Sequence, residues 1–438
     1  MAQGFDPGAA TAAYLATLPP EAHAKATAYT QGGHWLLLWG ALVSILVSWI
    51  VIRSGVLVRV RGGVEKTRPR PWLAVAAVVV VDSLIEGLLS IPWDAYAHWW
   101  REKSYALTSR AFAGWLAEHG VQILVGTIQA VILFSLLYWV IRRAPKTWWI
   151  WSSVGVVAAF IAFQAAGPIL VEPLFNSYRP APAGAMRDEV VAMAKQVGVP
   201  SDKIMIYDGS KQSNRYTANV AGLFGTARVA MSDVMFKKDA DLAEVRGVVG
   251  HEMGHYVRGH IFIFGLAYGL LALVAFFLVD RLFPWTARVL GAKGVTGVAD
   301  PAGLPVIGVI FAVISLIATP LSNAVSRIAE SDADRFSLEH FNEPDGLAKA
   351  LVKTIEYRAA TPSRLEEVIF YDHPAVGARV RRAMDWKATH PKAPSSSPQR
   401  VARFGGGGRR AGGGPLRLLR TPSVSGVYPR AGFAGPGG

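Results

Sequence analysis

The 438-residue chain contains no cysteine, and that absence removes a whole branch of chemistry. Disulfides, thiolate zinc sites and cysteine nucleophiles are excluded, so any reaction must draw on histidine, carboxylates or hydroxyls. Charge is scarce as well. Only 17% of residues are Asp, Glu, Lys or Arg, against 52% hydrophobic, and mean hydropathy is +0.30. A soluble domain of this size rarely needs so apolar a composition, which points to a polytopic membrane protein. The first 33 residues, MAQGFDPGAATAAYLATLPPEAHAKATAYTQGG, lack the basic start and short apolar core of a signal peptide. Residues 1–33 therefore read as an N-terminal segment retained ahead of the first span.

Six apolar stretches approach the roughly 20 residues that a helix needs to cross a hydrocarbon core. They are 35–52, 72–91, 121–141, 148–171, 261–279 and 304–321. Trp35, Trp72, Trp93, Trp139 and the Trp148/Trp149/Trp151 group sit at their ends, as an interfacial aromatic belt requires. Buried helices of a large soluble protein are the alternative, and six such runs weigh against it. Spans one to four occupy residues 34–179 and spans five and six residues 261–322. Between them, residues 180–260 read as a small α+β insert: MRDEVVAMAKQVGV has amphipathic helical spacing, while KIMIYDG and TARVAMSD are short strand-like runs. From residue 387 to 438 the chain is rich in Gly, Pro, Ser and Arg, with nine Lys/Arg and no acidic residue, which account for most of the net +14. This tail reads as a disordered, solvated extension. Aromatics barely interleave its arginines, so nucleic acid is not an expected partner, and contact with anionic lipid is the competing reading.

The stretch VVGHEMGHYVRGH, residues 248–260, puts ionisable groups at the mouth of the fifth span. On a helix, His251 and His255 lie one turn apart on one face, and Glu252 projects beside them toward an open coordination position. This is the H-E-x-x-H pattern of zinc peptidases, which needs a third ligand. PLSNAVSRIAESDADRFSLEH, leaving the sixth span, offers one. Asn323, Arg327, Glu330 and Asp334 follow one another at helical spacing as a single polar stripe. A solvated face is the plain alternative, but Asn and Arg continuing an apolar span are costly against lipid, so the stripe should face an internal wet cavity. Glu330 can complete a His/His/Glu set for one Zn²⁺, and Asp334 can accept an imidazole N–H, with Asn323 and Arg327 in the surrounding shell. Asp82 and Glu86, one turn apart in the second span, read as polar lining of such a chamber.

Together with GPILVEPLFNSY (167–178), WWREKSYALTSRAFAGWLAEHG (99–120) and YDHPAVGARVRRAMDWK (371–387), these motifs resemble the integral-membrane zinc metallopeptidases typified by the type I CAAX prenyl proteases. The resemblance runs from about residue 5 to residue 387. It implies a mainly α fold, a polytopic helical bundle around a hydrated chamber, with a gluzincin core completed by residues 323–386. It implies zinc on His251, His255 and Glu330, Glu252 as general base, and His373 near the scissile carbonyl, with Arg379 also toward the oxyanion. Asn219 would lie on an edge strand that holds the substrate backbone. The implied partners are a peptide or membrane-protein substrate and the lipid bilayer, with CAAX-type C-terminal processing or cleavage of membrane or misfolded proteins as the reaction. Composition suggests a bacterial plasma membrane.

Eukaryotic members have seven spans, and the sequence here shows six. Loops 53–71 and 142–146 carry six and three Lys/Arg, which the positive-inside rule assigns to the cytoplasm. Eukaryotic relatives keep the catalytic domain cytosolic instead, and the family topology is the expectation adopted. A transporter or channel with a structural metal is the competing class, yet no internal repeat supports it. A protein acting through its basic tail is the other. Truncation after Lys387 is expected to leave metal content and short-peptide cleavage within about twofold, a change under roughly 0.5 kcal/mol. Loss of either on truncation would place the tail against the catalytic domain.

Overall fold

A computed structural model describes residues 5–390 of the chain, apart from Phe224. Helix α1 (Pro7–Leu15) is capped by Asp6, whose carboxylate accepts from Gly8 N. Helix α2 (Pro20–Ser54) starts on a proline and stops at Gly55, whose φ of 64° is a left-handed conformation that glycine adopts without strain. Helix α3 (Val56–Val64) turns back against α4 (Pro71–Asp94), and a π-helical turn over Ala95–Trp100 follows Pro92 and leads to α5 (Arg101–Ser104). Helices α6 (Phe112–Arg143) and α7 (Trp148–Leu170) complete the first half.

The insert begins with strand β1 (Tyr178–Pro180), α8 (Ala185–Val197), β2 (Ile204–Tyr207), β3 (Ala218–Ala221) and β4 (Arg228–Ser232). The sheet order is β1-β2-β4-β3, with β2 and β4 parallel and both outer strands antiparallel to their neighbours. Val190, Met193, Ile204, Ile206, Val229 and Met231 are buried where α8 and the sheet meet α10. The β-like runs and the amphipathic helix read from sequence are therefore present. After α9 (Asp233–Lys237), a capping box between Asp241 and Glu244 starts α10 (Leu242–Val257).

Gly259, again left-handed, breaks α10 from α11 (His260–Leu290). Helix α12 (Leu304–Phe341) follows, then α13 (Pro344–Lys353), α14 (Arg364–Phe370) and α15 (Val376–Thr389). Among the described residues, six helical stretches are long and apolar enough to cross a membrane: α2, α4 to α5, α6, α7, α11 and α12 with its leading turn. Their outer faces are apolar, as at Leu88 (62% exposed) and Ile317 (75%), which is unfavourable in water and favourable in lipid. The chain is a polytopic helical membrane protein.

Boundaries drawn at changes of hydropathy fall inside helices. Residues 20–33 belong to α2, α12 runs through 322 and 323, and α15 continues past 387 to Thr389. A helix keeps its backbone bonds when it passes from lipid into water, so a polarity change along the sequence does not end it. Nor is the N-terminal segment separate, since Ala10, Tyr14, Leu15 and Leu18 pack against the core of α13 and α15. The Gly/Arg-rich tail beyond residue 390 lies outside the described residues.

Two helices cross α10 closely because its facing residues are glycines. A Cβ on Gly250 would lie 2.6 Å from Phe341 and Ser337 of α12, and one on Gly247 would lie 2.5 Å from the backbone N of Leu347 in α13. On an exposed helix Gly→Ala stabilises by about 1 kcal/mol. Here Gly247→Ala should destabilise by about 1–3 kcal/mol because backbone must move. A thermal unfolding midpoint in detergent at or above that of the parent chain would refute the close crossing.

Candidate metal centre

The site forms where α10 lies against α12. The crossing is held by Ser337 Oγ, which donates to Gly247 O at 3.1 Å, and Gly254 brings α10 near the backbone of Ala333. Helical spacing then does the rest. His251 Nε2 and His255 Nε2 are 3.1 Å apart, His251 Nε2 is 3.2 Å from Glu330 Oε2, and His255 Nε2 is 3.2 Å from Glu330 Oε1. Tetrahedral ligands at zinc distances of about 2.0–2.1 Å stand roughly 3.3 Å apart, so these three groups fit one metal ion. Among the described residues they are the one His/carboxylate group close enough to hold an ion. Glu330 Oε2 is a buried acceptor without a hydrogen-bond donor, a group that a cation would satisfy.

Surrounding groups fix the ligands. Asp334 Oδ1 accepts from His251 Nδ1 at 3.0 Å, which leaves the Nε2 lone pair facing inward. Two residues not foreseen from sequence serve His255: His260 Nδ1 is 2.9 Å from His255 Nδ1, and its Nε2 donates to Asp332 Oδ2 at 3.2 Å. His260 ends the same motif, so its spacing was visible, but its approach depends on the break at Gly259. Burial opposes charge on His251, yet Glu330 and Asp334 overcome it and raise the imidazole to about 10. Burial also raises the Glu252 carboxyl, against the pull of both imidazoles.

The remaining predicted residues divide. His373 is buried, with Nε2 3.3 Å from Glu330 Oε1 and Nδ1 donating to Asp372 Oδ1 at 2.8 Å. It therefore lines the site, in a cavity shared with Tyr216, Glu252, Tyr357 and Arg358. Asn219 lies in the edge strand β3 opposite Ala230, its Oδ1 buried and unpartnered.

Arg379, expected toward the oxyanion, lines the same cavity beside the ligands. Its Nε donates to Asp334 Oδ2 at 2.8 Å and its Nη2 to Oδ1 at 2.7 Å, so the planar fork is committed to that carboxylate. Asn323 and Arg327, expected in the surrounding shell, do not line that cavity. Asn323 donates to Ile369 O at 2.9 Å, and Arg327 to Glu367 O at 3.0 Å and Tyr371 O at 2.5 Å. They share a face with Glu330, but at about 1.5 Å per residue Asn323 stands roughly 10 Å away along α12, where α14 docks. Asp82 and Glu86 do not line the cavity over the metal centre. Asp82 is buried, and Glu86 accepts from Ser48 Oγ of α2 at 3.0 Å.

A helical bundle of membrane spans with a buried His/His/Glu centre beside a free glutamate defines a membrane metallopeptidase. The chain belongs to peptidase family M48, whose profile matches residues 180–398. Residues 9–177 match the domain described as the CAAX prenyl protease N-terminal, five membrane helices, where four candidate spans are found here. Among relatives, an uncharacterized metalloprotease of Bacillus subtilis, YhfN, is 26% identical over 373 residues, 84% of this chain and 86% of that one. CAAX prenyl protease 1 of Saccharomyces cerevisiae is 25% identical over 329 residues, 69% and 70% of the two chains. The crystal structure of Ste24p from S. mikatae superposes with a TM-score of 0.70 at 18% identity, covering 84% of this chain and 90% of that one.

Glu330→Gln should bind far less metal than the parent chain by metal analysis after both purified proteins are offered zinc, and equal binding would remove Glu330 from the ligand set. With His251 held near 10 when the site is empty, zinc uptake at pH 7.5 should release about one proton from it, because only neutral imidazole binds metal. Calorimetry in buffers of different ionisation enthalpy measures that number, and zero release would contradict the charge state.

Proposed function

We propose that the chain is a zinc-dependent endopeptidase of a bacterial plasma membrane, binding one Zn²⁺ through His251, His255 and Glu330. The observation that carries this reading is the convergence of those three groups within 3.1–3.2 Å, with Glu252 beside them and not among them. When bound, the zinc acidifies a water molecule and polarises the peptide carbonyl. Glu252, raised by burial toward the working pH, takes the proton of the attacking water and returns it to the leaving amine. His373, held by Asp372, presents its imidazole toward the oxygen on which negative charge develops. Arg358, with Nη2 3.4 Å from His373 Nε2, adds positive charge on the same side.

Substrate backbone lies along β3. It is the outer strand of the sheet beside α10, and residues 216 and 217 just before it line the cavity. An extended peptide can add there as a further strand, alongside Asn219. Such recognition reads main chain more than side chains, which suits cleavage of unfolded or membrane-anchored segments as well as CAAX-type C-termini. The B. subtilis relative supports the bacterial placement.

Changing Glu252 to Gln should abolish peptide cleavage while zinc content stays at one per chain, since the base is not a ligand. Turnover equal to that of the parent would sink the mechanism.

A further inference from the structure

The six spans alternate in direction, so their connections fall at two ends of the bundle. One end holds the metal centre, the sheet, α1, α5, α8 to α10 and α13 to α15. The other holds only three short connections, residues 53–71, 142–147 and 291–303. These join one another: the Arg61 guanidinium pairs with Asp300 and donates to Gly294 O at 3.2 Å, while Tyr138 Oη donates to Asp300 O at 3.4 Å.

This end is basic. The first connection carries six Lys/Arg and one Glu, the second three Lys/Arg and no acid, and the third adds Lys293 against Asp300. Arg59, Lys66, Arg68, Arg70 and Arg143 are exposed and, among the described residues, have no carboxylate within ion-pair distance. Arg68 and Arg70 border a shallow recess with Trp72 and Leu73, and the Arg142 guanidinium stands 5.9 Å over the Trp72 ring. Cations above an interfacial tryptophan and an apolar wall match a phospholipid: headgroup phosphate on the arginines, acyl chain along Leu73.

At the opposite end three basic residues near the spans are engaged by the protein, while Lys25 and Lys103 are exposed and, among the described residues, have no carboxylate within ion-pair distance. Arg101 donates to Tyr29 O and lies 3.8 Å over its ring, Arg110 pairs with Glu118, and Arg228 pairs with Glu172. The long insert there does not count toward orientation, because large translocated segments cross with little regard to charge. Short loops decide, and among the described residues the three connections at the basic end carry ten Lys/Arg against two acidic residues, while residues 101–111 at the other end carry three against one.

We propose that this basic end binds the anionic headgroups of the cytoplasmic leaflet, so that the peptidase site opens on the extracytoplasmic side. The proposal rests on the membrane-peptidase reading and narrows its substrates to peptide segments exposed outside the cytoplasm, displacing the cytosolic topology expected from eukaryotic relatives.

The cysteine-free chain allows a direct test with single-cysteine variants of the full protein. Thr67→Cys, between the basic residues, and Ala192→Cys, exposed on α8, are treated with a membrane-impermeant maleimide in spheroplasts before and after lysis. Ala192→Cys should label equally in both, and Thr67→Cys should label at least about tenfold more after lysis. The reverse pattern, or equal labelling of both sites before lysis, overturns the proposal. Cleavage of a short peptide by each variant in detergent reads the peptidase assignment separately: an active enzyme with reversed labelling fails on orientation alone, and an inactive one with the expected labelling fails on chemistry alone. In the Ala192→Cys background, Arg68→Gln, Arg70→Gln and Arg143→Gln combined should lower labelling before lysis, as part of the chains insert inverted. Unchanged labelling overturns the role given to the basic residues.

Discussion

Everything at the metal centre depends on how near α10 comes to α12. Two imidazoles on one helix and a carboxylate on another converge only if the helix axes approach within the reach of short side chains, and glycine is what permits that. Gly250 and Gly254 are spaced one turn apart on α10, with Phe341, Ser337 and Ala333 of α12 occupying the space their side chains would fill. This is the small-x-x-x-small packing by which helices meet in membranes, used here just outside one. The sequence interleaves the two demands within GHEMGH: the glycines set the distance and the histidines exploit it.

The close approach creates an electrostatic problem that the remaining residues answer. Glu330 and Asp334 are one turn apart and nearly inaccessible, and two buried carboxylates without countercharge are strongly unfavourable. Arg379, itself buried, binds Asp334 through both oxygens and stands 3.5 Å from Glu330 Oε2, so one guanidinium answers much of both charges. His373 and Arg358 line the same cavity as Arg379. The same commitment explains why α15 must be present: it carries Arg379 into the core of the site from the C-terminal side.

How much of this was legible follows from which contacts are local. The H-E-x-x-H pair was readable because its geometry is set by a single helical turn. Glu330 was readable because a polar stripe running out of an apolar span is hard to explain otherwise. The six spans and the α+β insert were readable from hydropathy and period. Arg327 was misassigned although it lies on the right face, since only the docking of α14 decides which neighbour a side chain on that face meets. His260 was missed because its approach to His255 depends on a left-handed glycine between two helices. Helix ends were misplaced wherever polarity changed before the backbone did.

Helix α12 joins the two solvents in which the protein works. At about 1.5 Å per residue its 38 residues reach roughly 57 Å, nearly twice a hydrocarbon core of about 30 Å. The first half is anchored among Phe283, Tyr138 and Val79, and the second presents Glu330 and Asp334. One rigid element thus fixes the metal ligands at a set height relative to the membrane. Asn323 and Arg327, between the two halves, hold the carbonyls of residues 367, 369 and 371, just before His373. Glu330 and the segment that carries His373 are therefore referenced to the same helix. A peptide bond can be attacked only where both are in reach, so the height of the scissile bond above the bilayer is set by α12. On the proposed function, a substrate still anchored in lipid would have to supply enough extended chain to climb to it, so the length of free segment between anchor and cleavage point would act as a selection rule.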